Sequence, residues 1–262
     1  MIIGNKSRRN ILVSTDHGLM IVNRFDYFVG DNNELIGHGQ WLLDHGNCDT
    51  VEAFICLRML ESFKDPVMFD IGSNIGTITT LIGNILESTQ IYCFEPQEDV
   101  YKILCGNLAI NNLHNCHPYN IAFGGEDKTI TVDEPDYSKP NDFGIFSLIE
   151  NKISNTSGRK IVVDVYRLDT FIEKYNIQKL NLLKIDAEGM DLQILHGATN
   201  TIKKFNPVIL VEYSDNRISI KDQLEQYLSK EKYNFITVGN NLLSIPKEYP
   251  MPDLREFRNF IR

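Results

Sequence analysis

The chain contains 262 residues, of which 42% are hydrophobic and 23% are charged, and its formal net charge at pH 7 is -9. This composition excludes a disordered or collagen-like chain and leaves enough apolar material for a buried core. Without a long run of Lys or Arg, an acidic chain is also a poor candidate for binding the phosphate backbone of a long nucleic acid.

The first 62 residues are expected to form a small, strand-rich extension that packs on a larger domain comprising residues 63–262. Short apolar runs bounded by turn residues predict strands in this extension. These runs are Gly18 to Val22 and Phe25 to Val29. A helix is predicted from Asp49 or Thr50, because apolar residues then recur with the spacing of one buried helical face.

From Pro66 onward, short apolar strands alternate with helices. Such alternation is typical of an α/β fold with a mostly parallel sheet sandwiched by helices. The predicted strands are Val67 to Ile71, Ile91 to Phe94, Tyr119 to Phe123, Leu180 to Ile185 and Val208 to Val211. The predicted helices are Ile75 to Leu86, Glu98 to Asn111, Met190 to Lys204 and Lys221 to Ser229. A C-terminal hairpin, Phe235 to Val238 with Leu242 to Ile245, is expected to add an antiparallel strand.

One long interruption, about residues 133–160, breaks the alternation. It is rich in Pro, Asn, Asp and Gly, and a loop of this length is usually functional or disordered. We therefore treat it as an insertion into the larger domain.

The first segment with chemical information is MFDIGSNIGTITT, in which a strand ends on Asp70 and a turn containing Gly72 and Gly76 precedes a helix. The two glycines allow a tight turn and the close approach of a ligand, and the first amides of the helix are free to donate. The turn is not the complete GxGxxG pattern, since Asn74 stands at the second glycine position. The Asp70 carboxylate beside it disfavours a pyrophosphate and favours a cationic ammonium group.

The second segment is CFEPQ, in which Glu95 ends the next strand, 25 residues after Asp70, and Pro96 holds it in an extended conformation. In nucleoside-binding α/β sheets, an acid at this position accepts hydrogen bonds from both ribose hydroxyls. Ile121 and Ala122, at the end of the third strand, are expected near the adenine edge. Together these features favour S-adenosylmethionine over NAD as the ligand.

The third segment is LLKIDAEGMD, in which Asp186 ends an apolar strand and Glu188 follows. Glu212 ends the next strand, so the three acids are expected to converge on one crevice if the sheet is parallel. They can serve as a general base, position a hydroxyl or bind a divalent metal, or they can be solvated acids at helix ends. A metal is not specifically predicted, because no Cys and His residues have the spacing of a zinc site.

These segments, in this order, resemble the FkbM-type methyltransferases. The matching pieces are DIGSNIG, FEPQEDVYKILCGNLAINNL, NDFGIFSL, LDTF, KIDAEGMDLQILHGA and PVILVE, and the upstream segments HGLMIVNRFDYFVG and GHGQW are also similar. The resemblance implies a Rossmann-like, S-adenosylmethionine-dependent methyltransferase, and many relatives are thought to methylate hydroxyls of sugars or natural products. It places the cofactor on Asp70, Gly72, Ser73, Asn74, Gly76, Glu95 and Pro96, with Asp186 nearby. This chain departs from the family at Ser73, where Ala is frequent, and at Gln40, which replaces an acid.

For an O-methyltransferase, the candidate bases are Asp186, Glu188, Glu212, His38 and His45, and we rank Asp186 first. The acceptor is expected to be a hydroxyl of a small molecule or a glycan. Its binding wall is expected to come from Phe143 to Leu148 and from Gly30 to Gln40, with Gly144 at a hinge position. Trp41, the single tryptophan, is expected to pack in the core rather than to stack on a sugar.

Two alternatives remain open: a methyltransferase that acts on nucleic acid or protein, and a non-catalytic scaffold that binds an adenosyl nucleotide. The five cysteines form no CxxC motif and are expected to be free thiols, typical of a reducing compartment. We see neither a signal peptide nor an apolar run long enough to span a bilayer. These features predict a cytoplasmic protein, for which a homodimer is possible.

Overall fold

The computed structural model describes residues 2–3, 8–30, 32–149, 153–213 and 218–250. Within these ranges the chain has the predicted α/β architecture, with a mostly parallel sheet of seven strands between helices. Residue 31 of the predicted acceptor wall, residues 150–152 of the predicted insertion and residues 251–262 lie outside them.

The N-terminal region forms two small antiparallel sheets and two helices. Its elements are β1 (Ile2–Ile3), β2 (Asn10–Thr15), β3 (Gly18–Asn23), β4 (Phe28–Val29), β5 (Leu35–Ile36), α1 (His38–His45) and α2 (Thr50–Leu60). β1, β2 and β3 form one sheet, and β4 pairs with β5. The strand predicted from Phe25 is confined to β4, because Asp26 forms an isolated bridge with Asn141 instead.

The remaining chain alternates strands and helices. The strands are β6 (Val67–Ile71), β7 (Gln90–Phe94), β8 (Cys116–Tyr119), β9 (Ala122–Phe123), β10 (Lys128–Pro135), β11 (Thr156–Tyr166), β12 (Leu182–Ile185), β13 (Val208–Glu212), β14 (Tyr233–Val238) and β15 (Asn241–Pro246). The helices are α3 (Thr77–Ile85), α4 (Glu98–Ile110), α5 (Leu168–Lys174), α6 (Asp191–Gly197), α7 (Thr199–Phe205) and α8 (Ile218–Lys230).

The main sheet has the strand order β14-β15-β13-β12-β6-β7-β8. The five strands from β13 to β8 are parallel, and the C-terminal hairpin adds β15 antiparallel to β13, as predicted. The chain leaves β6 in one direction and returns on its other side through β12. The strand order therefore reverses between β6 and β12, and this is where open α/β sheets bind ligands.

Side chains on the two faces of this sheet enter two separate apolar cores. One core joins Phe69, Phe94 and Leu183 to helices α5, α6 and α8, and the other joins Met68 and Leu182 to helices α2, α3 and α4. Because side chains alternate along a strand, neighbouring residues of β6 and β12 face opposite cores.

Three predicted elements of the larger domain also differ from the structure. The strand expected from Tyr119 to Phe123 is divided between β8 and β9, because the Asn120 side chain bonds to the carbonyls of Glu95 and Pro96 and the chain then joins another sheet. The insertion expected over 133–160 is shorter, because its ends extend the paired strands β10 and β11.

The helix expected from Met190 to Lys204 is two helices, α6 and α7. The Asp169 carboxylate accepts the backbone amides of Asn200 (3.1 Å) and Thr201 (2.8 Å), which lie in the first turn of α7. A side chain satisfies amides that a continuous helix would bond internally, so a new helix begins here.

The N-terminal region is fastened to α4 by two asparagines. Asn107 accepts the amide of Ile21 and donates to its carbonyl, and Asn111 does the same with Leu19. An amide side chain that pairs with both groups of a strand residue imitates a neighbouring strand. The edge of β3 is therefore paired rather than open.

All five cysteines are free thiols, and Cys105 is less buried than the other four. None of the helices within the described ranges has both the length and the apolar character needed to cross a bilayer.

Candidate functional site

A cavity of about 250 Å³ opens at the carboxyl ends of β6, β7 and β12. The predicted site residues that line it are His38, Gly72, Asn74, Glu95, Pro96, Ile121, Ala122, Asp186, Glu188 and Glu212. The predicted residues that do not line it are Asp70, Ser73, Gly76 and His45.

The glycines of the turn after β6 serve chain packing rather than ligand access. A Cβ at Gly72 would collide with the carbonyl oxygen of Asp186, and one at Gly76 would lie 2.5 Å from Leu104 Cδ1. Both glycines have positive φ values, 74° and 87°, which side-chain-bearing residues rarely adopt. Protein atoms therefore fill the space that the missing side chains leave, and the backbone of Gly72 still lines the cavity.

Asp70 does not reach the cavity, because it faces the core beneath α2 and α3. Lys184 stands opposite in the register of β6 and β12, and its Nζ lies 3.2 Å from Asp70 Oδ1. Thr79 Oγ1 donates to the other carboxylate oxygen over 2.6 Å. Both members of the ion pair are buried. The predicted partner of a ligand ammonium is therefore paired with a lysine of its own chain.

Ser73 connects the turn to the end of β7. Its hydroxyl donates to the carbonyl of Asp70 (2.6 Å) and accepts the amide of Phe94 (2.9 Å). The backbone amides of Gly72 and Ser73 both donate to the carbonyl of Phe94. Ser73 thus holds two strand ends together.

Glu95 lies where this turn meets the cavity. Its Oε2 accepts the amide of Asn74 (3.1 Å) and its Oε1 accepts the amide of Gln97 (2.8 Å). Burial raises the pKa of Glu95 to about 7, although both amide bonds oppose the shift. Each carboxylate oxygen can accept more than one hydrogen bond, so both can also bind a ligand hydroxyl.

Asp186 and Glu212 stand at the ends of neighbouring strands, and Glu212 holds its proton at neutral pH. The pKa of Glu212 is raised to about 9, chiefly by the nearby Asp186 carboxylate and also by burial. Lys184 Nζ lies 3.5 Å from Asp186 Oδ2 and donates to the carbonyl of Gly72. Burial alone would lower the pKa of Lys184, but Asp70, Asp186 and other carboxylates raise it above its ordinary value. This lysine stays charged and orients the Asp186 side chain.

A more open groove of about 460 Å³ adjoins the cavity, and it shares three residues with it. The shared residues are His38, Asp142 and Glu212. The other residues lining the groove are Ile36, Gly37, Trp41, Asn47, Cys48, Asp49, Thr50, Val51 and Glu52. A molecule in the groove would therefore reach the cavity at these shared side chains.

Trp41 lies on the wall of this groove with 46% of its surface exposed, so our expectation of a core tryptophan is wrong. The reason is helix α1, in which Leu42 takes the buried position. Trp41 and His38 are three residues apart and share the face over the groove. His45, one turn later, stacks on the indole with ring centroids 4.3 Å apart.

His38 is held by a carboxylate that the sequence analysis missed. Its Nε2 lies 3.2 Å from Asp49 Oδ1, and the other oxygen of Asp49 accepts the hydroxyl of Thr77, the first residue of α3. Burial would lower the pKa of His38, but Asp49 and nearby carboxylates raise it to about 10. His38 is therefore an imidazolium at neutral pH. An Asp just before a helix is normally a helix cap, yet Asp49 has φ 51° and makes no capping bond.

A second missed carboxylate joins the N-terminal region to the insertion. Asp26 is buried, and it accepts the amide of Gly39 (2.8 Å) on one oxygen and that of Phe143 (3.0 Å) on the other. Burial raises the pKa of Asp26 to about 6. A Cβ at Gly144 would lie 2.9 Å from His38 Nδ1, so the insertion packs directly on the His38 ring. The two segments predicted to form an acceptor wall are thus fastened together.

In the described part of the chain, no group of three or more His, Cys, Asp or Glu side chains is arranged to hold a metal ion.

Comparison with known proteins shows which family has this arrangement. The methyltransferase FkbM domain matches residues 70–236. Methyltransferase 1 of Beauveria bassiana is 24% identical over 181 residues, covering 63% of this chain and 72% of that protein. Hexuronic acid methyltransferase AglP of Haloferax volcanii is 25% identical over 162 residues, covering 60% of this chain and 59% of that protein.

Two further proteins are similar over comparable lengths. The 2-O-methyltransferase NoeI of Sinorhizobium fredii is 23% identical over 162 residues, covering 59% of this chain and 65% of that protein. The crystal structure of an FkbM methyltransferase from Methylobacillus flagellatus has a TM-score of 0.49 and 17% identity, covering 70% of this chain and 44% of that one. Since the FkbM domain spans more than half of the 262 residues, the protein belongs to the FkbM methyltransferase family.

Proposed function

We propose that this protein is an S-adenosylmethionine-dependent O-methyltransferase that acts on a hydroxyl of a sugar, a glycan or a small natural product. The observation that carries the proposal is the Glu95 carboxylate, which faces the cavity beside the Gly72 to Asn74 turn. A carboxylate at this strand end is the usual acceptor for the hydroxyls of a bound ribose.

The residues around the cavity fit the adenosyl cofactor. Asn74 Oδ1 is buried and has no hydrogen-bond partner among the described residues, so it is available to a ligand donor. Phe94, Ile121 and Phe123 supply an apolar wall suited to a flat adenine ring. We assign the ribose to Glu95 and the adenine to this wall.

The cationic end of the cofactor needs a different partner from the predicted one. The charge of Asp70 is compensated by Lys184, and its side chain lies outside the cavity. Asp186 and Glu188 line the cavity, where their carboxyl oxygens can accept hydrogen bonds from an ammonium group. We therefore move this role from Asp70 to these two acids, while Asp70 acts through Lys184.

When bound, the cofactor supplies an electrophilic methyl group on a sulfonium. The protein must orient the acceptor oxygen in line with that group and accept the hydroxyl proton. We assign the hydroxyl proton to the Asp186 carboxylate, because the neighbouring Glu212 already holds a proton at neutral pH. His38 carries its own proton, so it is a hydrogen-bond donor to the acceptor rather than the base.

The names of two relatives support this acceptor class, one by naming a sugar acid and the other by naming an oxygen as the methylated atom. One is a hexuronic acid methyltransferase and the other a 2-O-methyltransferase. The groove beside the cavity offers this chain a separate place for such an acceptor, reached through His38, Asp142 and Glu212.

The cofactor assignment is tested by calorimetric titration at pH 8 with S-adenosylhomocysteine and with NAD. We expect saturable binding of the adenosyl ligand only. Glu95→Gln should weaken it by roughly 30-fold, since a charged hydrogen bond contributes about 2 kcal/mol. Glu126→Gln, at an exposed loop residue paired with Lys128, is the matched control and should bind normally. Equal binding by Glu95→Gln and the unmodified protein would refute the assignment.

The proton acceptor is tested with Asp186→Asn. We expect methyl transfer from labelled S-adenosylmethionine to fall by about 100-fold or more, in line with general-base catalysis. Unchanged transfer together with unchanged cofactor affinity would remove Asp186 from the mechanism.

A further inference from the structure

Trp41 is the only tryptophan of the chain, and it is exposed although we expect it in the core. His45 covers part of its indole by stacking, yet 46% of the residue surface remains exposed. The exposed part borders the groove, and His38 on the same helical face lines both the groove and the cavity. An exposed aromatic ring beside a reaction centre is suited to hold the apolar face of a ligand.

Most of the charged residues that line the groove are acidic. Asp49, Glu52, Asp142 and Glu212 line it, and none of its lining residues within the described chain is Lys or Arg. His38 balances Asp49, and Glu212 is protonated at neutral pH because the Asp186 carboxylate raises its pKa to about 9. Glu52 and Asp142 are the remaining acids of the groove, and burial raises the pKa of Asp142 while His38 opposes this shift.

Lys184 does not line the groove. Lys184 is buried beneath the cavity and is paired with Asp70 and Asp186. A carboxylate entering the groove would therefore meet several acids and, among the described lining residues, one cation, His38, which is already paired with Asp49.

From the exposed indole and the acidic groove we infer that Trp41 is the platform on which the sugar ring of the acceptor stacks, and that this ring carries no carboxylate. The inference rests on the proposed function and gives it a substrate class. A pyranose has an apolar face of C–H groups that an indole can cover while its hydroxyls point towards polar residues. The acceptor then differs in charge from the substrate named for the hexuronic acid relative.

The single tryptophan makes this inference directly measurable. Protein labelled with ¹⁵N shows one indole N–H resonance, which can be followed by NMR with S-adenosylhomocysteine present. The probes are the methyl glycosides of glucose, of glucosamine and of glucuronic acid. We expect the first two to shift this resonance in a saturable manner, and the glucuronide to bind at least about tenfold more weakly because of charge repulsion.

Variants distinguish stacking from an indirect effect. Saturation-transfer NMR on the glycoside C–H protons should lose its signal with Trp41→Ala and keep most of it with Trp41→Phe, which retains a flat ring. Val162→Ala, at a 66% exposed apolar residue of β11, is the matched control and should leave the signal unchanged.

The outcomes separate this inference from the proposed function. Binding of S-adenosylhomocysteine without any response of the indole to the glycosides would overturn the platform alone. An equal response to the glucuronide would overturn the charge preference. Failure to bind S-adenosylhomocysteine would reject the proposed function, and the platform with it.

Discussion

The cavity floor and the groove wall of this protein are built in different ways. The floor, formed by Gly72, Asn74, Glu95 and Asp186, comes from strand ends whose neighbours are fixed by the register of one sheet. The wall, formed by residues 36–52 and 142–148, comes from segments joined by a few side-chain bonds. We therefore expect the floor to unfold only together with the sheet. The wall should be able to open locally while the sheet stays folded.

The largest expected effect is on the sheet beneath the floor. Lys184→Met would leave the buried Asp70 carboxylate without its cation, which typically costs about 3–5 kcal/mol of unfolding free energy. Urea denaturation measures this loss. Lys160→Met, which breaks the exposed pair with Asp133, is the control and should cost less than about 1 kcal/mol. The double variant Asp70→Asn/Lys184→Met should recover part of the loss, and no recovery would contradict the pairing.

The wall should respond locally to Asp26→Asn. The new amide offers one acceptor oxygen where the carboxylate offered two, so the amide of Gly39 or of Phe143 loses its partner at about 1–3 kcal/mol. Hydrogen exchange should show lost protection at one of these amides while β6 and β12 stay protected. Asp44→Asn, at an exposed residue of α1, should change neither region. Equal loss of protection in the sheet would remove the distinction between wall and floor.

Glu212 connects the two regions and gives the next effect. Its pKa is raised to about 9 in the folded protein, chiefly by Asp186, so the folded state binds a proton that the unfolded state has released. Stability contributed by that proton is present below about pH 4.5 and is lost as the pH rises towards 9. Glu212→Gln should therefore raise Tm by about 2–4 °C near pH 9. Calorimetric scans should show the gain vanishing near pH 4.5, and a gain independent of pH would argue for simple repacking.

The smallest effect concerns the pH dependence of cofactor binding. Burial raises the pKa of Glu95 to about 7, and only the ionised form offers both oxygens to ribose hydroxyls. Affinity for S-adenosylhomocysteine should fall by up to about tenfold between pH 8 and pH 6. Binding near pH 7 should also release protons, which titrations in buffers of different ionisation enthalpy measure. A flat pH profile would show that the ribose contacts another group.

The residues of the floor can be predicted from the sequence because they directly follow apolar strands. Glu95 and Asp186 were placed at strand ends by pattern alone, and both line the cavity. The same pattern predicts Asp70 at the cavity, whereas the alternation of side chains along β6 turns it towards the core.

The wall could not be read in the same way. Asp26 and Phe143 are 117 residues apart, and no local sequence pattern predicts the hydrogen bond between them. Trp41 was misjudged because large aromatic residues are usually buried, whereas its exposure depends on which face of the short helix α1 meets the core. Hydrogen bonds between side chains and such distant residues can be identified only in the folded structure.

The Asp26 carboxylate has a consequence for exchanging parts between relatives. Because it accepts one amide from α1 and one from the insertion, neither segment can be replaced without changing the support of the other. A chimera that takes both segments from one parent keeps this joint, and a chimera that divides them breaks it. Hybrids should therefore exchange Asp26, helix α1 and the insertion together, although Gly39 and Phe143 are 104 residues apart in the sequence.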